Sequence, residues 1–541
     1  MRYCFGILIF WIVLGTSVVE AQQPDWLWAT SGGGKGNDQA SSIAADSFGN
    51  SYVCGYFQDS AIFSGTMVQS AKGYHLFFAK YASDGTLQWV KTTGKKGQSY
   101  ATSILIGKDN NIYLAGYFSD SVSFDTHVVV SSGSYNAFLA KCDPDGAAEW
   151  VVTGVGNGYD LTKAVASDSS GSIYVAGSFT GTASFGGNQI SSEGGTDLFI
   201  TKYDPSGSAL WAKRFGSHDD DGATALACGA GGFVVTGSFA DTVDFGGTPL
   251  RAQGSSDIFI LKFTSEGSLV WARQAGGTAN GEGAGIALDG FENVYVTGKF
   301  FDTVDIGGTP PDCDGIGNIY ISKYTSDGVK QWVKCSGAGG EEGGAAIAID
   351  RNENIYVTGG YDNLINLGAG DLLNNGLIDI FIAKYDPSGK AIWSDRAGEA
   401  GTDLGTAIAT DRNSNLFLAG AFSDTCSFGP FLLESLRQTD GFVAKIALES
   451  SVHDPLSAVD LSVSIYPNPA RSVLNVEYSI PSSHTAVTLE IINILGESVK
   501  KYISPHGKSS FTLTVDDLPA GVYCCRLSAN GVSTSHTVVI Q

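Results

Sequence analysis

The chain has 541 residues, of which 71 are glycine and only 16% are charged, and its formal net charge is −23. An acid excess of this size argues against nucleic acid and anionic membrane as partners. The apolar share of 43% is enough for packed cores and argues against disorder, and the length calls for two to four domains or a repeat array.

Residues 1–21 read as a secretory signal peptide. Arg2 gives a charged start, Phe5 to Val13 a short apolar run, and Val19-Glu20-Ala21 a small-residue cleavage site, so cleavage is expected after Ala21. The run is too short to span a bilayer, and Cys4 stands too early to be a lipoprotein cysteine. No later stretch approaches about 18 uninterrupted apolar residues, so no transmembrane segment is expected in the mature chain.

Tryptophan then exposes a repeat. From Trp28 it recurs at Trp89, Trp150, Trp211, Trp271, Trp332 and Trp393, in steps of 61 with one of 60. Aligned on it, each unit carries an aliphatic residue (Ile43, Ile104, Val165 and so on). An Asp such as Asp46 or Asp289 follows, then an Asn such as Asn50 or Asn293, then a "YVxG"-like stretch. The short step falls in unit four, where "CGAGGFVVTGSF" has lost one hairpin residue. Each unit reads as four short strands: "AxxIAxD", "NxYVxGxF", "FIAKYD" and the tryptophan strand after a "DPSG"-type turn. Period-two alternation and the lack of any ten-residue helical pattern make the chain all-β. Seven such units over residues 22–448, about 61 residues each, predict a seven-bladed β-propeller. "DWLWATSG" is a fourth-type strand at the start and "GFVAKIAL" a third-type strand at the end, so the first is expected to complete the seventh blade and close the ring. The "DxxGNxYVxG" core and the "FIxKYDxxG" stretch resemble the secreted bacterial β-propeller repeat family called SBBP. That resemblance implies the fold and no single activity.

Several positions along the repeats are candidates for chemistry. Ten residues after the tryptophan, five units place an acid on one face: Asp38, Asp160, Asp221, Glu342 and Asp403. Such a rim on glycine-rich loops reads either as loop capping through the local backbone or as a calcium or ligand site. A lysine on every third strand, from Lys80 to Lys445, reads as a charge ladder with turn aspartates such as Asp46, or as a basic ring. Five loops place Asp before a hydroxyl at Ser60, Ser121, Thr242, Thr303 and Thr425. They resemble the O-glycosylation acceptors of bacteria with type IX export, and local side-chain hydrogen bonding explains the same pattern. "GVGNG" (154–158) and "GAGGEEGG" (337–344) precede strands rather than helices, so they are not phosphate loops. The nine cysteines form no disulfide framework, and the scattered histidines offer no zinc site. No Ser-His-Asp order, G-x-S-x-G or H-E-x-x-H occurs, so no catalytic residue is assigned.

A polar connector, 449–460, leads into residues 461–541, where the tryptophan repeat is gone and about seven alternating segments read as a small Ig-like β-sandwich. Tyr466-Pro467-Asn468-Pro469-Ala470, Gly496 in "ILGESV", and Leu518, Gly521, Val522 and Tyr523 resemble the type A C-terminal sorting domain of the type IX secretion system. The resemblance implies an export machinery as partner, passage through the periplasm and across a Gram-negative outer membrane, removal of the tail, and release or attachment at the cell surface. The expected function is a non-catalytic binding or adhesion scaffold with a glycan or protein ligand. A polysaccharide-active enzyme using carboxylates of the loop face, or a structural surface or matrix protein, is the alternative.

Overall fold

The computed structural model describes residues 24–94, 96–301, 304–306, 317–337, 343–447, 462–479, 487–493, 498–504, 510–529 and 532–541. The signal-peptide stretch, the 449–460 connector, Thr303, Glu342 and Gly496 lie outside these. Among the described residues every regular element is a strand. The chain separates into two compact units, Met1–Leu448 and Glu449–Gln541.

In the larger unit the third repeat is typical. Its strands Asp160–Ser167, Ile173–Phe179, Asp197–Tyr203 and Ala209–Phe215 form one antiparallel sheet in chain order. Among the described residues seven such four-stranded sets follow one another. Their first strands pack side by side in a cycle that returns from Leu404–Thr410 to Gln39–Ala45. The second and third strands are buried at every residue in the third repeat, because a neighbouring blade covers each face of the sheet. The apolar core is therefore divided among the junctions. Tyr113 and Leu139 of the second repeat pack with Val165 and Phe199 of the third, and the same kind of cluster recurs between the seventh and first through Phe417, Val443, Val53 and Phe77.

Asp25–Gly34 pairs antiparallel with Phe431–Ala447, from Asp25 opposite Ala447 to Gly32 opposite Gly441, and so supplies the outermost strand of the seventh blade. Hairpins between second and third strands, unanticipated from the sequence, add a further tie. Ala183–Phe185 pairs with Gly154–Gly156 of the preceding blade, and Ala61–Phe63 pairs with Gly32–Gly34.

The tryptophan period has a packing cause. Trp271 Nε1 donates to the Ser326 carbonyl at 3.0 Å, in the third-to-fourth turn of the next blade, and its ring covers Gly328 of that turn. Gly328 has φ +81°, and a Cβ there would lie 2.8 Å from the indole, so both conformation and space require glycine. Trp28 meets Ser83 and Gly85 in the same way.

Some of the third-strand lysines pair with turn acids, Lys141 Nζ with Asp109 Oδ2 at 3.1 Å and Lys262 Nζ with Glu292 Oε2 at 2.9 Å, and others reach backbone instead. Lys202 Nζ donates to the Ser265 carbonyl at 3.0 Å and Lys445 Nζ to that of Ser83 at 3.0 Å, again in the next blade's turn. Lys202 also lies over the ring of Tyr174, 5.3 Å from its centroid. Asp46 instead stays within its own hairpin. Its Oδ1 accepts from the backbone N–H groups of Phe48 and Asn50, and its Oδ2 from Asn50 Nδ2 at 2.8 Å and the Tyr52 hydroxyl at 3.4 Å. That corner explains the Asp…Asn…Tyr spacing. Because Lys202, Lys262 and Lys445 are buried, an exposed basic ring is also ruled out at those positions.

Cys54, Cys142, Cys228 and Cys426 are free thiols, whereas Cys335 is disulfide-bonded, a pairing the sequence left open.

The smaller unit has two antiparallel sheets, of three and four strands, around one core. Leu474, Val476 and Leu513 of one sheet pack against Leu489, Ile491, Cys525, Val538 and Ile540 of the other.

Candidate binding face

Where first and second strands pair nearest the axis, one cross-strand pair per blade marks a common level. In order these are Gln39–Tyr56, Tyr100–Tyr117, Leu161–Ser178, Gly222–Ser238, Glu282–Lys299, Gly343–Gly360 and Leu404–Ala421. The scaffold residues around them repeat; these pairs do not. Tyr74 and Tyr135 lead into their third strands, and Tyr159 precedes the first strand of the third blade. Together with Tyr56, Tyr100 and Tyr117 they form one aromatic cluster across blades one to three.

The rings alternate between edge and face contact. Tyr56 meets Tyr74 edge-on at 5.5 Å and Tyr100 edge-on at 5.2 Å. Tyr100 stacks on Tyr117 at 4.9 Å, Tyr117 meets Tyr135 edge-on at 5.5 Å, and Tyr135 stacks on Tyr159 at 5.9 Å. Tyr159 is 51% exposed and the other five are half-buried. Gln98 Oε1 accepts from the hydroxyls of both Tyr100 and Tyr135 at 2.9 Å, and Gln39 Oε1 accepts from Tyr56 at 2.9 Å. Burial raises the phenol of Tyr117 to about 12 and also raises those of Tyr56, Tyr100 and Tyr135, so these hydroxyls stay neutral donors at physiological pH.

On the opposite arc of the same face lies a depression of about 500 Å³ lined by Glu282, Lys299, Phe301, Ile378 and Leu404. Lys299 and Glu282 form an ion pair there at 3.4 Å. A cavity of about 680 Å³ opens at the other end of the axis among the first-to-second turns, beside Phe48, Lys108, Arg351 and Arg412. It is larger, but Asp46, Asp350 and Asp411 in its wall are held in their turn hydrogen bonds.

The anticipated acidic rim is not exposed. Asp38, Asp160, Asp221 and Asp403 are buried at the blade junctions. Asp38 Oδ1 accepts from the Gln58 N–H at 2.8 Å, and Asp221 accepts from the N–H groups of Ser217 at 2.6 Å and Ala240 at 2.9 Å. Neither oxygen of Asp160 has a protein donor. A second ring at the start of the third strands escaped the sequence reading: Asp197, Asp257, Asp379 and Asp440, with His75, Asn136 and Asn318 at the equivalent places. Asp440 raises Asp38 and Asp379 raises Asp403 by like-charge repulsion added to burial, which is the larger cause. Asp38, Asp160 and Asp403 are each pushed up to about 7, and Asp221 to about 6. Among the described residues no group of three or more His, Cys, Asp or Glu is arranged to hold a metal ion.

Of the Asp-hydroxyl motifs, Thr242 is exposed and Ser60, Ser121 and Thr425 are half-buried. Each begins the outer hairpin, and the preceding Asp59, Asp120, Asp241 and Asp424 have φ between 52° and 62°. Asp is one of the few residues that tolerate that conformation, so the motif has a backbone cause whatever becomes of the hydroxyl.

In the C-terminal unit the sorting-motif residues meet the last strand. Asn468 Oδ1 accepts from the Val539 N–H at 2.9 Å, the Ala470 N–H donates to the Val539 carbonyl at 2.8 Å, and the Gln541 N–H donates to the Ala470 carbonyl at 2.8 Å. Tyr466, Pro467 and Pro469 flank that contact and are exposed. The Leu518 N–H closes a turn on the Val515 carbonyl, and the chain enters the next strand at Gly521. Tyr523 is buried and its hydroxyl donates to the Pro519 carbonyl at 2.8 Å.

Comparison with known proteins places both units. Residues 464–541 match the family model of a secretion system C-terminal sorting domain, and residues 28–56 and 270–299 match that of a beta-propeller repeat. The chain is a β-propeller repeat protein ending in a type IX sorting domain, and hence a secreted or outer-surface protein of a Gram-negative bacterium. An uncharacterized WD repeat-containing protein of Acanthamoeba polyphaga mimivirus is 23% identical over 495 residues, covering 77% of this chain and 33% of its own length. Regulatory protein FlaEY of Caulobacter vibrioides is 26% identical over 380 residues, covering 64% of this chain and 39% of its own. The chain thus spans between a third and two fifths of these curated relatives. Among solved structures, a puromycin hydrolase mutant complexed with PGG is 11% identical and covers 82% of this chain and 58% of its own, with a TM-score of 0.32, too low to bear on activity.

Proposed function

We propose that this protein is a non-catalytic binding or adhesion scaffold, carried to the cell exterior by its sorting tail, with its ligand on the tyrosine-bearing face. The observation that carries this reading is the break in internal regularity. Tryptophan and lysine recur at the same positions in every unit and several reach the next blade's turn, as Trp271 and Lys202 do, whereas the cross-strand pairs on this face run from paired tyrosines to paired glycines. Half-buried tyrosines supply large, rigid, amphipathic contact area at little entropic cost, as binding surfaces require. A polysaccharide-active enzyme would need accessible carboxylates with raised pKa. The raised carboxylates here are buried in the junctions, which favours binding over turnover.

The full chain displayed against an array of glycans and proteins, with released sugar and peptide assayed in parallel, tests this. Saturable binding without product is expected; catalytic release of sugars or peptides would replace the scaffold reading with the enzyme. The hairpin hydroxyls at Ser60, Ser121, Thr242 and Thr425 are proposed carriers of O-linked sugar. Intact-mass spectrometry of the exported protein should show a glycan mass that Thr242→Ala reduces.

A further inference from the structure

We infer that the tyrosine row of blades one to three is a track for an uncharged polysaccharide chain, whose sugar rings lie with their C–H faces on the aromatic rings. This rests on the binding reading above and adds the class of ligand. A pyranose ring has an apolar C–H face and a hydroxyl rim; a tyrosine has an apolar ring and a hydroxyl tip. The row offers that combination repeatedly, with successive centroids 5.2, 4.9, 5.5 and 5.9 Å apart from Tyr56 through Tyr100, Tyr117 and Tyr135 to Tyr159. The hydroxyls of Tyr56, Tyr100 and Tyr135 are held by the side-chain amides of Gln39 and Gln98 rather than by charged groups, so the row is polar without relying on ions.

Charge narrows the occupant further. A polyanion meets a chain of net charge −23, and for a cationic peptide Asp38 and Asp160 are buried while exposed Asp59 already accepts from the Gly73 N–H. A docking helix or strand would want aliphatic anchors and pockets, and this row is ring against ring. An elongated neutral polymer that stacks along the row is the occupant that fits.

Affinity electrophoresis of the full chain through gels containing hydroxyethylcellulose, xylan, mannan or laminarin, with pectate and alginate as anionic controls, tests the inference. Retardation by at least one neutral polymer is expected, unchanged by added salt because no charge is matched. Tyr159→Ala, at an exposed position, and Tyr135→Leu, which keeps apolar bulk without the ring, should each weaken retardation about tenfold or more at unchanged melting temperature. Retardation by the polyanions alone, by none of the neutral polymers, or to the wild-type degree in normally melting variants would overturn the inference. If the tyrosine variants instead abolish capture of an arrayed protein, the glycan class fails and the scaffold reading stands. If a retained polymer is shortened, the non-catalytic reading fails and the track stands.

Discussion

Aspartate does two opposite things in this ring, and only its surroundings tell them apart. At corners such as Asp46 the carboxylate receives donors from backbone, Asn50 and Tyr52 and holds a hairpin. At the junctions Asp160 is fully buried with no protein donor, and burial pushes it up to about 7. A rise from 3.8 to about 7 amounts to roughly 4 kcal/mol against the ionised form. Asp160→Asn, which keeps the shape and removes the charge, should therefore raise the melting temperature by several degrees at pH 8, less at pH 5 and little at pH 4, as scanning fluorimetry would read. A lower value at pH 8 would mean that the anion is compensated. The sign for the whole ring follows. Asp38 and Asp403 at about 7 and Asp440 at about 6 keep protons in the folded state that the unfolded chain releases above about pH 4. The contribution of these buried acids to stability should therefore be full below about pH 4, fall as pH rises from about 4 to about 7, and level off above it. The same burial bears on calcium: millimolar calcium should leave the melting curve unmoved, and a clear rise would restore the metal reading.

The strands act through what they hold in the next blade. Trp271 lies on Gly328 and bonds to Ser326, so Gly328→Ala meets both an unfavourable φ of +81° and a 2.8 Å clash with the indole. A loss of about 1–3 kcal/mol is expected, seen as a lower denaturation midpoint. The closing strand works at larger scale. Deleting residues 22–31 removes most of Asp25–Gly34 and leaves the edge of Phe431–Ala447 unpaired. The deletion should melt lower and aggregate, because an exposed strand edge recruits other chains. If 32–448 unfolds like 22–448, the strand is not what closes the ring.

The molecule as a whole couples a self-contained ring to a separately folded tail. The sorting motif is tied into the tail's own last strand through Asn468 and Ala470, so the tail should fold and be read by the export machinery without help from the propeller. Deleting 461–541 should leave a folded propeller in the periplasm. Fusing 449–541 behind an unrelated signal-bearing protein should export that protein, with the tail absent from the exported form. Mass spectrometry of surface and medium fractions decides between this and a retained module, which would still end at Gln541.

The spacing of tryptophan, the Asp…Asn corner and the turn glycine determined the repeat and the closing strand, and the proline-bracketed motif at Tyr466–Ala470 the tail, because each is a local or periodic demand of backbone conformation that a linear sequence can carry. The outer hairpins are short local pairings, as of Thr182–Phe185 with Asn188–Ser191, and their tie to the preceding blade, which no local pattern announces, was missed. The acids were found, and Asp38, Asp221 and Asp403 cap their own loops as one of the two readings had it, but their burial was not foreseen. Their position relative to the tryptophan says which level of the blade they occupy, whereas their burial depends on how closely the next blade approaches. The tyrosine row was invisible for the same reason. Tyr56 and Tyr117, and Tyr74 and Tyr135, each stand one 61-residue repeat apart, whereas Tyr100 and Tyr159 fall outside that period, and only the curvature of the ring, which sets neighbouring blades side by side at one level, makes them a single surface.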